Sequence, residues 1–197
     1  MNHSLTGSSI PADVATAVAG ARLVGAPTSD KEDEWSAAAH AAIRIAHEVG
    51  ARVVLADVST RSLLTTPYLA GGVAADSGFL SSGEGPVGRN ELQLLGRQYL
   101  VAQLDEADAA GVEAEVWLAT KPGIRSLPLF LERFPDIDVL VGPPLDRPSL
   151  GQWLGGDTIN GVRARVGDRT LVVAHLDGRL TLDRGRADAQ PSRSPRV

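Results

Sequence analysis

The sequence predicts an α/β protein: an open, mostly parallel five-stranded sheet with helices on both faces, plus a C-terminal hairpin strand. Three observations carry this. Apolar runs of strand length alternate with helical patterns at three-and-four spacing, which implies right-handed crossovers and a parallel sheet. Val53-Val54-Leu55-Ala56, Val139-Leu140-Val141 and Leu171-Val172-Val173-Ala174 are unbroken apolar runs, as in strands covered on both faces. Asp177-Gly178 then stands before Arg179-Leu180-Thr181-Leu182, a turn that reverses the chain into one more strand.

The elements follow in order. The segment before Ala21 is small, polar and uncapped, which predicts a loose arm or one marginal helical turn over 1–20. Arg22 to Ala26 is a short strand running into Pro27-Thr28-Ser29, and Ser29-Asp30 starts a helix with Glu32, Asp33 and Glu34 in its first turn, where the helix dipole favours carboxylates. Trp35, Ala38, Ala39, Ala42, Ile45, Ala46 and Val49 form its buried stripe and Gly50 its stop. The strand from Ala51 to Ser59 belongs in the centre of the sheet. Thr60 to Arg89 has Gly71-Gly72, Ser81-Ser82-Gly83 and Gly85-Pro86 and no periodicity, so it reads as a long loop, a lid or an oligomer contact.

Asn90 and Gln93 have capping-box spacing, and Leu92, Leu95, Tyr99 and Ala102 predict one helix reaching Gly111. Val112, Ala114, Val116 and Leu118 alternate with Glu113, Glu115 and Trp117, the pattern of a strand near an edge. A helix starting near Ser126 with Pro128 in its first turn carries Leu127, Phe130, Leu131 and Phe134. Asp138 to Gly142 is the next buried strand, leading into Pro143-Pro144. Asp157 caps a helix with Ile159, Val162 and Val166 on one side; the competing reading makes Val162 to Val166 a strand of a meander. The domain is thus placed at 21–183, with a disordered tail over 184–197.

Composition excludes several functions. There is no cysteine, which removes disulfides, thiolate metal sites and a cysteine nucleophile. A net charge of -5 offers no general attraction to nucleic acid or anionic lipid. No signal segment and no apolar run of membrane-spanning length are present. These features predict a cytoplasmic protein with a small-molecule or protein partner, no nucleic acid and no membrane. No G-x-S-x-G elbow, Walker loop or H-E-x-x-H occurs, so no catalytic residue is assigned. His40 and His47 lie two turns apart, too far to chelate one metal, and His175 near the hairpin reads as a hydrogen-bonded structural residue.

Leu23 to Asp30, the Ala-rich helix ending in Glu48-Val49-Gly50-Ala51, Val53 to Val58 and Asp138 to Gly142 resemble the universal stress protein family in order and spacing. Gly155-Gly156-Asp157 through Leu171-Val172-Val173 is similar to that family's last helix and strand. The resemblance implies a Rossmann-like fold and, in nucleotide-binding members, an Asp closing the first strand and a G-x2-G-x9-G-[S/T] signature after the fourth. Pro27 stands at the Asp position. Gly142 matches the first glycine and Gly155 the third, but Leu145 replaces the second and Gly156 the hydroxyl; a shift of one pairs Gly156 and Asp157 with the signature's end.

The candidate crevice is therefore Pro27, Thr28, Ser29, Asp57, Gly142, Gly155, Gly156 and Asp157. Pro27, Pro143 and Pro144 have no N–H to give a phosphate, Leu145 adds bulk, and Asp157 competes with an anion for the helix N-terminus. The three prolines are expected to face one another across the cleft. Asp57 stands where a carboxylate can meet a ribose hydroxyl, although a solvated loop carboxylate is the commoner case. Gly155-Gly156 ahead of Asp157 is in the bland reading a loop entering a helix. Trp117 and Trp153 are core or partner-surface residues, and Arg184, Arg186, Arg193 and Arg196 belong to a solvated end.

The leading expectation is a non-catalytic stress-response protein without a cofactor, a homodimer through Leu171 to Ala174 and Leu180 to Leu182, which binds a partner or small ligand. Adenine-nucleotide binding with weak ATP hydrolysis, using Thr28, Ser29, Gly142, Gly155 and Gly156, is the alternative. A third reading is an unrelated Rossmann-like enzyme with Thr60 to Arg89 as lid.

Overall fold

A computed structural model of the protein describes residues 10–30, 33–58, 87–118, 126–144 and 166–183. In chain order its elements are α1 (Ala12–Val18), β1 (Leu23–Thr28), α2 (Asp33–Val49), β2 (Arg52–Asp57), α3 (Arg89–Leu94), α4 (Gln98–Ala109), β3 (Ala114–Leu118), α5 (Ser126–Arg133), β4 (Val139–Gly142), β5 (Thr170–Ala174) and β6 (Leu180–Leu182). They form a six-stranded sheet in the order β3-β2-β1-β4-β5-β6. All neighbours are parallel except β5 and β6, which form the antiparallel hairpin that Asp177-Gly178 predicts.

The chain winds outward from β1 to β3, then crosses to β4 and winds the other way. The switch point lies between β1 and β4, and in such sheets ligands bind beyond the carboxyl ends of the strands flanking it. Strand alternation divides the apolar residues between two cores. Val24, Ala26, Val53, Leu55, Val139, Val141 and Val172 face one side, beneath α1, α2, α3 and α4. Leu23, Val54, Ala56, Leu140 and Leu171 face the other, where Phe130, Leu131 and Ile137 pack. Gly25 is required there, because a Cβ would lie 2.7 Å from the Cδ1 of Ile137 and 3.1 Å from the Phe130 ring.

Helix α2 buries Trp35, Ala38, Ala39, Ala42, Ile45 and Ala46 of the predicted stripe. Its end is closed by the Ala51 N–H, which donates to the Ala46 carbonyl past Gly50. Strand β3 is an edge, as its charged alternation predicts.

Three local expectations need correction. The arm before Ala21 contains α1, whose Val14 and Val18 are fully buried against the larger core; two valines one helical turn apart supply the apolar contact that its poor capping does not. The helix predicted from Asn90 to Gly111 is two helices. Gly96 adopts a left-handed φ of 69°, ending α3 with the Arg97 N–H on the Leu92 carbonyl. The cap of α3 is Gly88, whose N–H donates to the Glu91 carboxylate at 2.8 Å, in place of the Asn90 and Gln93 pair. The break also rotates the second helix, so that Ala102 is exposed and Gln103 buried. Finally, β5 lies between β4 and β6, so of the two segments expected to form the dimer only β6 has an open edge among the described residues.

Residues 60–86 of the loop predicted from Thr60 to Arg89, Leu145, Trp153, Gly155, Gly156, Asp157, the helix or strand before Val166, and the tail over 184–197 lie outside the described residues. No helix among the described residues is long and apolar enough to cross a membrane.

Candidate functional site

The carboxyl ends of β1 and β2 present Thr28 and Asp57, which are register partners on the face beneath α2 and α4. Both are buried, Thr28 fully and Asp57 at 5% exposure. Buried polar groups need partners, and α4 with its N-cap residue Arg97, just after the Gly96 break, supplies them. The Thr28 hydroxyl donates to Gln103 Oε1 at 3.1 Å and accepts from Gln103 Nε2 at 2.9 Å. The Tyr99 hydroxyl donates to Asp57 Oδ1 at 2.6 Å. Arg97, 1% exposed, places its Nε 2.8 Å from Asp57 Oδ2.

This ion pair overturns the reading of Asp57 as a solvated loop carboxylate. Arg97, Tyr99 and Gln103 were not legible as site residues, because a continuous helix would have given Tyr99 a place in an apolar stripe and Arg97 one in solvent. The signal was Gly96 in mid-pattern, with a cation directly behind it.

Pro27 lies inside β1, buried, paired in register with Ala56 of β2. Arg22 and Thr28 carbonyls accept from Arg52 and Val58, while the Leu23 carbonyl accepts from Asp138. Even-numbered residues therefore turn their backbone groups to β2 and odd-numbered ones to β4. The next amide toward β4 after Gly25 would be that of residue 27, and proline has none. The β1–β4 ladder accordingly runs only through Val24–Val139 and Gly25–Leu140, whereas β1–β2 runs to Thr28–Asp57. Pro27 is thus the point at which the two strands flanking the switch point stop being held together.

Gly142 closes β4, buried, with nothing among the described residues within 4 Å of a Cβ. Pro143 follows it, buried, and Pro144 is half-buried. Pro143 thus follows the end of β4, while Pro27 is the penultimate residue of the neighbouring β1. Alternation puts Pro27 with Gly25 on the α5 side, whereas Pro143 stands in a bend beyond β4, so the prolines do not form one matched set within the sheet. Ser29 is buried beside Thr28. Trp117 is half-buried and packs on Phe130 with ring centroids 5.6 Å apart, a core contact.

The histidines serve packing. His40 of α2 places Nδ1 2.5 Å from Glu106 Oε2 of α4 and Nε2 3.1 Å from the Ser36 hydroxyl. The hydrogen bond to the Glu106 carboxylate raises the His40 pKa above its usual value, against an opposing effect of burial. His47 Nδ1 is 2.8 Å from the Ala110 carbonyl, and His175 Nε2 is 3.1 Å from the Thr181 hydroxyl within the hairpin. No group of three or more potential metal ligands occurs among the described residues.

No family model matches the chain, and no curated protein matches it. Among solved structures it is similar to a universal stress protein crystallised in complex with cAMP, at 18% identity over 79% of this chain and 97% of that one, with a TM-score of 0.43. It is also similar to the universal stress protein UspA from Lactobacillus plantarum, at 16% identity over 79% of this chain and 98% of that one, with a TM-score of 0.37. Both likenesses concern architecture; neither assigns a ligand or an activity to this chain.

Proposed function

We propose that this chain is a non-catalytic cytoplasmic protein of the universal stress protein kind, acting in a stress or regulatory response as a homodimer that takes a partner or small ligand. The observation that carries the proposal is the Asp57–Arg97–Tyr99 network. The carboxylate closing β2, which would otherwise be available to a ribose, is already engaged inside the protein. Pro27 and Pro143 further reduce the backbone donors that a phosphate would need at the strand ends. Gly155, Gly156 and Asp157, which lie outside the described residues, belong to this reading through the sequence signature alone.

Self-association uses β6. The Asp183 N–H donates to Leu171, and the His175 N–H to the Arg179 carbonyl, so Leu180 and Leu182 turn their backbone groups to the open edge, available to a two-fold partner. Leu176, 61% exposed in the adjoining turn, adds apolar area.

Two measurements test the proposal. Calorimetric titration with ATP and magnesium should give no saturable heat. Sedimentation velocity at micromolar concentration should show a dimer that Leu182→Pro converts to monomer, since this change deletes an outward N–H and leaves the β5–β6 ladder intact. A monomeric parent protein overturns the dimer. Adenine-nucleotide binding with weak hydrolysis is the second reading, favoured by the room that the described residues leave at Gly142; saturable, tight ATP binding would put it first.

A further inference from the structure

The sheet's other end holds a cavity. It has a volume of about 530 Å³ and lies at the amino ends of β1, β4 and β5, beneath the last turn of α1. That size is within the range of small-molecule sites, roughly 300–1,000 Å³. Ala17 to Ala21 form one wall, Pro135 to Val139 a second, and Asp168, Arg169 and Thr170 the third.

One wall carries Asp138 and another Arg169 beside Asp168, and no ion pair joins Arg169 to either carboxylate among the described residues. Arg169 is half-buried, and its guanidinium is held in place by the Val166 and Pro135 carbonyls, each at 3.1 Å. Carbonyls fix its position without cancelling its charge. Among the described residues it has no carboxylate partner, although Asp138 and Asp168 line the same cavity. Asp138 is fixed in turn: its Oδ2 accepts from the Arg22 and Leu23 N–H groups at 2.8 and 3.2 Å, which leaves Oδ1 without a partner among the described residues. The carboxyl end of α1 adds partial negative charge beside Asp138. Ala17, Val18, Ile137 and Val139 stand behind these groups, the last three buried, so that most of the surface the cavity offers is polar.

We propose that this cavity binds a small zwitterion, an amino acid or short peptide with free termini, its carboxylate on Arg169 and its ammonium on Asp138 and the α1 carbonyls. A simple anion would meet Asp138 and the negative helix end, and a simple cation would meet Arg169. A ligand carrying both charges is matched at Arg169 and at Asp138, with Asp168 as a second carboxylate beside Arg169. The site lies at the opposite end of the strands from the crevice, so its occupancy and the nucleotide titration are independent.

The test is amide chemical-shift titration of the full-length protein with L-leucine, N-acetyl-leucine and leucinamide. Leucine should give saturable shifts at Gly20, Asp138 and Thr170, and each capped compound should bind roughly tenfold or more weakly, since each loses one charge-assisted contact. Arg169→Gln and Asp138→Asn should weaken leucine by a similar factor. Arg169→Lys keeps the charge but not the fork held by two carbonyls, and is expected to bind in between. Should the Gln variant fail to fold, the capped ligands on the unaltered protein decide the matter. Absence of saturable shifts at the three amides, or capped leucine binding as well as the zwitterion, overturns the proposal.

Discussion

Removing one side of the Asp57–Arg97 pair is the most direct probe of how the strand ends are organised. At 2.8 Å and an effective dielectric of about 20, the gross attraction is about 6 kcal/mol. Desolvation of both ions opposes it with several kcal/mol, so the intact pair adds little net stability. Breaking it is another matter. Arg97→Met takes the 2.8 Å guanidinium away from a carboxylate that is 5% exposed and hydrogen-bonded to Tyr99, at a cost of about 3–5 kcal/mol. With an m-value of about 2 kcal/mol/M, the urea midpoint should fall by about 1.5–2.5 M. Arg97→Met combined with Asp57→Leu removes both charges and should regain most of that loss, while Asp57→Leu alone takes the carboxylate from a guanidinium that is 1% exposed and should resemble Arg97→Met. If Arg97→Met shifts the midpoint by less than about 0.5 M, or if the double variant is no better than the single ones, then Asp57 is not held as a desolvated ion and the assignment of this cluster fails.

The His40–Glu106 contact between α2 and α4 predicts a pH dependence of definite sign. The folded-state pKa of His40 is raised, so its contribution is complete below the unfolded value of about 6.5 and is lost as pH rises through the folded one. Because the His40 side chain is 52% exposed, solvent screening limits the effect to about 0.3–1 kcal/mol. Urea unfolding of the parent protein and His40→Gln at acidic and alkaline pH should show the difference between them shrinking with alkalinity; a constant difference contradicts the assignment. Pro27→Ala restores an amide facing β4. Hydrogen exchange should reveal that amide as protected, and the extended ladder should add about 0.5–1.5 kcal/mol, less the entropy that proline removes from the unfolded chain. Exchange at the rate of an open loop would mean that β1 and β4 are separated by something other than the missing donor.

Elements whose apolar spacing is strong were legible without coordinates. The α2 stripe, the unbroken runs of β2, β4 and β5, the charged alternation of β3 and the Asp177-Gly178 reversal all lie where the local pattern puts them. Legibility fails where an element's fate depends on a neighbour. The seven residues of α1 lack good caps, and only the face offered by β5 and β6 makes burial of Val14 and Val18 possible. Likewise, Gly96 within an apolar periodicity reads as a tolerated helical glycine until the Leu92 carbonyl is seen to take the Arg97 amide.

The candidate site divides along the same line. The residue types at the strand ends, including the prolines that deny hydrogen-bond donors, are a matter of sequence, since the absence of an N–H is covalent. Which carboxylate would be solvated and which buried was not. That was decided when the left-handed turn at Gly96 swung Arg97, Tyr99 and Gln103 over Asp57 and Thr28, because the cost of enclosing a charge depends on what packs against it, and that contact joins residues about forty positions apart.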